Sequence, residues 1–270
     1  PATAEVIRFT SLGSGSEGNA LLIEAGGPRG TRLLIDCGLP VRQALARIEA
    51  RGVDPMGLDA ILVTHEHGDH VGGVMALARK TGATVCLTRG THAAIHLRSA
   101  DACKGATLRI IDCHTPFELG CVEVQPFPVP HDAREPVQYV LAYGALRLGV
   151  LTDLGMLTPH VERSLQGCDG LVLEFNHDPE LLAASAYPDS LKQRIASRYG
   201  HLCNRDAAGL LGQLLSDRLQ HVVAAHLSKS NNSAEHVLAA VREVLTEVPD
   251  GFYVATQEDG FDWLTLTTSA

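Results

Sequence analysis

Aromatic residues are scarce, with Phe, Trp and Tyr making up 4% of 270 residues. The core must therefore come from Leu, Val, Ile and Ala, as in sheets flanked by helices, which points to a layered α/β architecture. Paired cysteines are also missing. The seven thiols (Cys37, Cys86, Cys103, Cys113, Cys121, Cys168 and Cys203) are odd in number and contain no CxxC, which argues against a disulfide framework or a thiolate zinc site. Several lie in apolar runs such as LLIDC and ATVCLT, where a thiol acts as a small buried hydrophobe. No apolar run is long enough to cross a bilayer. The opening PATAEVIRFTSLG has no basic segment leading into a long apolar stretch, so a cytoplasmic protein with no membrane partner is expected. Positive charge is short as well: 22 Lys and Arg against 31 Asp and Glu give a net charge of −9. That balance opposes nonspecific attraction to a polyanion, so any nucleic-acid contact must be local.

Histidine, by contrast, is plentiful, at 13 residues, and imidazole is the commonest ligand of transition metals. No linker divides the chain, so one domain over residues 1–270 is expected. EVIRFT, NALLIEA and TRLLIDC read as consecutive strands, PVRQALARIEARG as a helix, and LDAILVTH as a buried strand. DHVGGVMALARKTG then reads as one helix. After Asp153 strands and helices alternate, through GLVLEF, RDAAGLLGQLLSDRL, HVVAAHL and SAEHVLAAVREVL, the last with Asn232 as its N-cap and Glu235 closing a capping box. Strands followed by helices in each half imply two mixed sheets face to face with helices outside, an αββα four-layer sandwich. GSGSEG, residues 13–18, matches the dinucleotide fingerprint GxGxxG, but that motif must open a helix. NALLIEA has strand composition, so a hairpin loop is expected instead.

The run THEHGDH, residues 64–70, directly follows the apolar strand. His65 and His67 stand two apart on extended chain and project to one side, whereas Asp69 and His70 come after the turn at Gly68 and point elsewhere. His131, Asp153 and His226 each follow an apolar strand. If those strand ends gather at one edge, two ion sites result. His65, His67 and His131 would serve one and Asp69, His70 and His226 the other, with Asp153 bridging. Two divalent ions about 3.5–4 Å apart can lower the pKa of a water between them and supply hydroxide as nucleophile. Imidazole and carboxylate ligands suit zinc, manganese or iron.

The HxHxDH run, the spacing of the later ligands and the order of elements resemble the metallo-β-lactamase superfamily over essentially the whole chain. The resemblance implies a metal-dependent hydrolase, and it makes Asp36 in LLIDCG the acid that supports a metal-bound histidine from behind. The second half resembles the phosphodiesterase branch. Glu174, ending GLVLE, and His201, in GHLCN, look like the Glu and His with which RNase Z-type nucleases protonate the leaving oxygen.

SLGSGSEGNA, PVPHDAREPV, LTDLG, LEFNHD, YPDSLKQRI, GHLCN and HLSKSNN are similar to the YycJ (WalJ-like) group of metallo-β-lactamase-fold nucleases. That similarity implies a 5′ to 3′ exonuclease, with DNA favoured over RNA as substrate. Ser14, Asn204 and Ser228 are the expected substrate contacts. Cys203 departs from the serine expected in GHLSN. Lys192, Arg194, Arg198 and Arg205 form a basic strip beside His201. A small-molecule hydrolase of a cyclic phosphodiester, lactone or thioester is the enzymatic alternative, and a non-catalytic nucleic-acid-binding subunit the other. The short span between His131 and Asp153 argues against RNase Z itself, and the ordinary core elements between Asp153 and His226 argue against a β-CASP insertion.

Overall fold

Apolar strands punctuated by Gly and Pro begin the chain as β1 (Val6–Gly13), β2 (Ala20–Ala25) and β3 (Thr31–Ile35), joined antiparallel. The structure, a computed structural model, describes residues 5–27 and 30–268. GSGSEG is the β1–β2 hairpin loop, and Gly15 (φ 143°) and Gly18 (φ 145°) supply its positive φ. Helix α1 (Val41–Ala50) starts just after Pro40 and buries Ala44 and Ile48.

After β4 (Ala60–Leu62) the expected single helix is two: α2 (Gly68–Val71) and α3 (Val74–Thr81). At the break the Gly73 N–H donates to the Cys37 carbonyl at 2.7 Å instead of within a helix, and the packing is close enough that a Cβ on Gly73 would lie 2.0 Å from the Leu39 carbonyl. β5 (Thr84–Thr88), α4 (Arg89–Arg98), β6 (Leu108–Ile111) and β7 (Phe117–Leu119) follow.

The second half holds β8 (Val122–Pro128), β9 (Val137–Tyr143), β10 (Leu146–Leu151), α5 (Pro159–Leu165) and β11 (Gly170–Glu174). Three helices come next: α6 (Pro179–Ala184), α7 (Asp189–Ile195) and α8 (Asn204–Leu214). The chain ends in β12 (His221–Ala225), α9 (Ala234–Leu245), β13 (Phe252–Val254) and β14 (Phe261–Thr267). The cap of α9 falls one residue later than expected. Ser233 Oγ accepts the His236 N–H, while the Asn232 amide donates to the Phe175 carbonyl.

One sheet runs β14-β1-β2-β3-β4-β5-β6 and the other β13-β12-β11-β10-β9-β8-β7. Ile7, Phe9, Tyr139 and Leu148 belong to the apolar core between the sheets. Ile48 and Leu77, from α1 and α3, pack outside the first sheet, and Leu211 and Val237, from α8 and α9, outside the second. The layers are thus αββα. Each fully buried aliphatic side chain contributes about 1.5–3 kcal/mol relative to exposure.

This topology positions the site. β3 and β4 are parallel, as are β10, β11 and β12, while β8 and β10 each run antiparallel to β9 between them. The segments leaving β3, β4, β8, β10, β11 and β12 therefore carry Asp36, His65, His131, Asp153, Glu174 and His226 to the same edge of the sandwich.

Candidate metal centre

His65, His67 and His131 each offer a ring nitrogen within 4.8 Å of the others, and so do the donor atoms of Asp69, His70 and His226. Asp153 lies between these groups: it clusters with His65 and His70 on one side and with Glu174, His201 and His226 on the other. No other histidine belongs to a donor cluster among the described residues. The sequence pattern and the geometry thus gather the same seven donors.

Behind the donors, hydrogen bonds fix ring orientation. His131 Nδ1 donates to the Gly200 carbonyl at 3.0 Å, leaving Nε2 to face His67 Nδ1 at 3.2 Å. Asp36 Oδ2 accepts from His70 Nδ1 at 2.8 Å, and its two oxygens also accept the Thr64 N–H and hydroxyl at 2.8 and 2.7 Å. Thr64 Oγ1 in turn stands 2.9 Å from His65 Nδ1. Such outer partners set the tautomer and basicity of a metal-binding imidazole. Asp36 (φ 58°) and His226 (φ 56°) both adopt left-handed backbone, at a cost of about 1–3 kcal/mol each. Their side-chain and backbone hydrogen bonds hold them there.

The donor chemistry fits a divalent metal. His65 Nε2 is fully buried without a hydrogen-bond partner among the described residues, a costly state unless something else takes its lone pair. Burial, aided by the charges of His70 and His131, keeps His65 well below its ordinary pKa and so neutral, as a ligand must be. For Asp69 burial opposes ionisation, but the charge of His70 and the hydrogen bond from His226 outweigh it and hold the carboxyl far below the usual range. Burial likewise opposes charge on His70, yet Asp153, Asp69 and Asp36 together raise it well above 6.5. A surplus of buried carboxylate around His70 is a surplus that a cation would neutralise. Thiols take no part. Burial pushes Cys37 up to about 12 and Cys86 and Cys168 up to about 11.

Next to the donors, Glu174 is fully buried and its Oε1 lies 2.7 Å from His201 Nδ1. Glu174 Oε2 accepts the N–H groups of Leu154 and Leu202 at 2.8 and 3.2 Å. Burial disfavours the charged form of His201, but the Glu174 charge and hydrogen bond prevail and raise its pKa. The arrangement keeps a proton on an imidazole at the rim of the metal site. His67, Asp69, Asp132 and His201 keep 19–30% of their side-chain surface exposed, which marks the open side.

The three expected substrate contacts each hydrogen-bond within the protein. Ser14 Oγ accepts the His226 N–H at 2.8 Å, so it holds a donor from below. Asn204 is buried and exchanges amide hydrogen bonds with Asn232. Ser228 Oγ accepts the Asn231 N–H. Cys203 occupies the N-cap position of α8 without a side-chain cap hydrogen bond. The basic strip is divided: Lys192 Nζ donates to the Ala183 carbonyl, Arg205 pairs with Glu243, and Arg194 turns to Asp132.

Two contributors had not been read from the sequence. Asn19 Nδ2 stands 3.2 Å from His70 Nε2 and donates to the Asp69 carbonyl at 3.3 Å. Asp132 Oδ1 lies 3.5 Å from His131 Nε2 and 3.6 Å from His67 Nε2. The position of Asp132 directly after a strand-end histidine was the available signal; Asn19, 50 residues from its partners, gave none.

The family model described as beta-lactamase superfamily domain matches residues 31–222. The chain is 35% identical to the exodeoxyribonuclease YycJ of Bacillus anthracis over 89% of its length and 90% of that protein's. It is 34% identical to the exodeoxyribonuclease WalJ of Streptococcus pneumoniae, covering 84% of each. In fold it matches zinc-bound PqqB from Methylobacterium extorquens with a TM-score of 0.70 at 18% identity, over 96% of this chain and 99% of that one.

Proposed function

The chain belongs to the beta-lactamase superfamily, and on that premise we propose that it is a two-metal phosphodiesterase that removes nucleotides from the 5′ end of DNA. His65, His67 and His131 would hold one ion and Asp69, His70 and His226 the other, with Asp153 offering its carboxylate to both. Two such ions, of zinc, manganese or iron, would supply a nucleophile at neutral pH and stabilise charge on the phosphoryl oxygens.

The protein's own groups supply positioning and a proton. Asp36 and the Gly200 carbonyl orient His70 and His131. His201 gives its proton to the leaving oxygen of the phosphodiester, and Glu174 orients the ring and stabilises its charged form. The observation that carries this reading is the 2.7 Å Glu174–His201 hydrogen bond beside the donor cluster, because an expelled alkoxide needs a proton donor. The names of the two relatives support a nucleic-acid substrate.

Metal-loaded protein is to be incubated with single-stranded and duplex DNA labelled at either end and carrying a 5′-phosphate or 5′-hydroxyl, with His67→Ala as control. Short products released from the 5′ end by the wild type alone support the assignment. Intact DNA alongside cleavage of a small cyclic phosphodiester refutes it.

A further inference from the structure

Tyr199 is 60% exposed in a chain with few aromatic residues, yet backbone hydrogen bonds fix the turn that carries it. Its carbonyl accepts the Asp132 N–H at 2.9 Å, and the carbonyl of the next residue, Gly200, accepts from His131 Nδ1. The Gly200 and His201 N–H groups close back on Ser197 and Ile195, each at 2.9 Å. The neighbouring loop packs so closely that a Cβ on Gly155 would lie 2.5 Å from Tyr199 Cα. The turn is therefore bolted to the segment carrying His131, while the Tyr199 ring has no aromatic partner and its hydroxyl no hydrogen bond among the described residues.

Arg194 is tied to the same anchor. Its Nε donates to Asp132 Oδ2 at 2.5 Å, and no described residue takes its terminal nitrogens, although the side chain is only 53% exposed. The pair also offsets the negative charge that Asp132 would otherwise present to a phosphate approaching His67 and His131. One residue beside the donor cluster, Asp132, thus fixes both a guanidinium whose terminal nitrogens stay open and the turn that carries an exposed aromatic ring.

We propose that Tyr199 and Arg194 form a nucleotide clamp for single-stranded DNA, Tyr199 stacking on a base next to the scissile bond and Arg194 binding a neighbouring phosphate. The proposal rests on the nuclease reading above. Stacking suits a single strand because its bases expose their faces to an aromatic side chain, and it is tolerant of sequence because every base has such a face. The terminal nitrogens of Arg194 present donors suited to phosphate oxygens. The net charge of −9 makes such a local clamp more necessary than it would be on a basic protein.

The test uses metal-loaded protein and single-stranded oligonucleotides with 2-aminopurine at successive positions from the 5′ end. One set has phosphorothioate linkages to slow cleavage. Stacking predicts quenched fluorescence at one position near the end with wild type, Tyr199→Phe and Tyr199→Trp, and loss of that quenching with Tyr199→Ala. For hydrolysis, Tyr199→Ala raises KM about fivefold or more with kcat changed less than twofold. Arg194→Gln lessens the dependence of log KM on log salt by about 0.7. If wild type cuts the strand and Tyr199→Ala matches it in both quenching and KM, the clamp is overturned while the nuclease reading stands. If wild type neither binds nor cuts any strand, the nuclease reading falls and the clamp with it.

Discussion

Glu174 and His201 share a 2.7 Å hydrogen bond in which the carboxylate is fully buried and the imidazole reaches the rim. The same carboxylate oxygen lies 3.4 Å from His226 Nδ1, so one acid orients an imidazole of the candidate metal centre and the imidazole proposed to deliver the proton. A carboxylate left alone at this depth would pay a large desolvation cost. Here the charge of His201 and hydrogen bonds from His201 and His226 overcome burial and hold Glu174 below its ordinary pKa.

Glu174→Gln keeps an oxygen for the Leu154 and Leu202 N–H groups but removes the charge. The rate of phosphodiester cleavage is expected to fall about 10²-fold. The pH profile should move as well. His201 must be protonated to act, so activity declines as pH rises through its pKa, which Glu174 holds above 6.5. Without the carboxylate that decline begins at lower pH. An unmoved alkaline limb in kcat/KM would show that another group delivers the proton.

Asp36→Asn tests the support behind His70. The variant still accepts the Thr64 N–H but loses the charge on the oxygen facing His70 Nδ1. Metal affinity, measured by chelator competition, should weaken about 10- to 100-fold. An unchanged affinity would leave Asp36 with a purely architectural role in holding the β3 and β4 ends together.

Much of this centre was legible because metal ligands follow local rules. HxHxDH fixes four side chains within six residues, and His131, Asp153 and His226 announce themselves by following apolar strands whose ends topology must gather. What escaped depends on contacts between distant segments. Asn19 reaches Asp69 across 50 residues, and Asp132 joins Arg194 across 62. Ser14 and Asn204 have residue types suited to substrate, yet backbone and side-chain partners elsewhere engage them. The break between α2 and α3 was hidden for the same reason: there the Gly73 N–H turns to the Cys37 carbonyl, a contact with a distant segment that no helical periodicity records.

Metal removal should expose a pH-dependent stability. In the metal-free fold burial disfavours charged His226, but the charge of Asp153 and the hydrogen bonds that His226 donates to Asp69 and Glu174 raise its pKa to about 10 from the ordinary 6.5. A raised histidine pKa stabilises the fold fully below the unfolded value, and this contribution is lost as pH rises towards the folded one. Protein treated with chelator should therefore lose thermal stability between about pH 6.5 and 10. Metal-loaded protein, whose ligands are already deprotonated, should lose much less. Parallel alkaline melting curves for the two forms would refute this.

A glycine at the site and one away from it offer a test in which two equal chemical changes have opposite outcomes. A Cβ on Gly38 would sit 1.8 Å from the Asp69 carbonyl oxygen, whereas one on Gly209, within α8, meets nothing within 4 Å. Gly38→Ala must push the segment carrying Asp69 and His70, at a cost of about 1–3 kcal/mol for the overpacking. Because that segment also carries donors, metal affinity should fall with stability. Gly209→Ala instead removes backbone freedom from the unfolded chain and should stabilise by about 0.5–1 kcal/mol, with metal affinity unchanged. If both variants shifted the melting temperature alike, the tight contact between the β3 end and the Asp69 segment would not be what holds these donors in place.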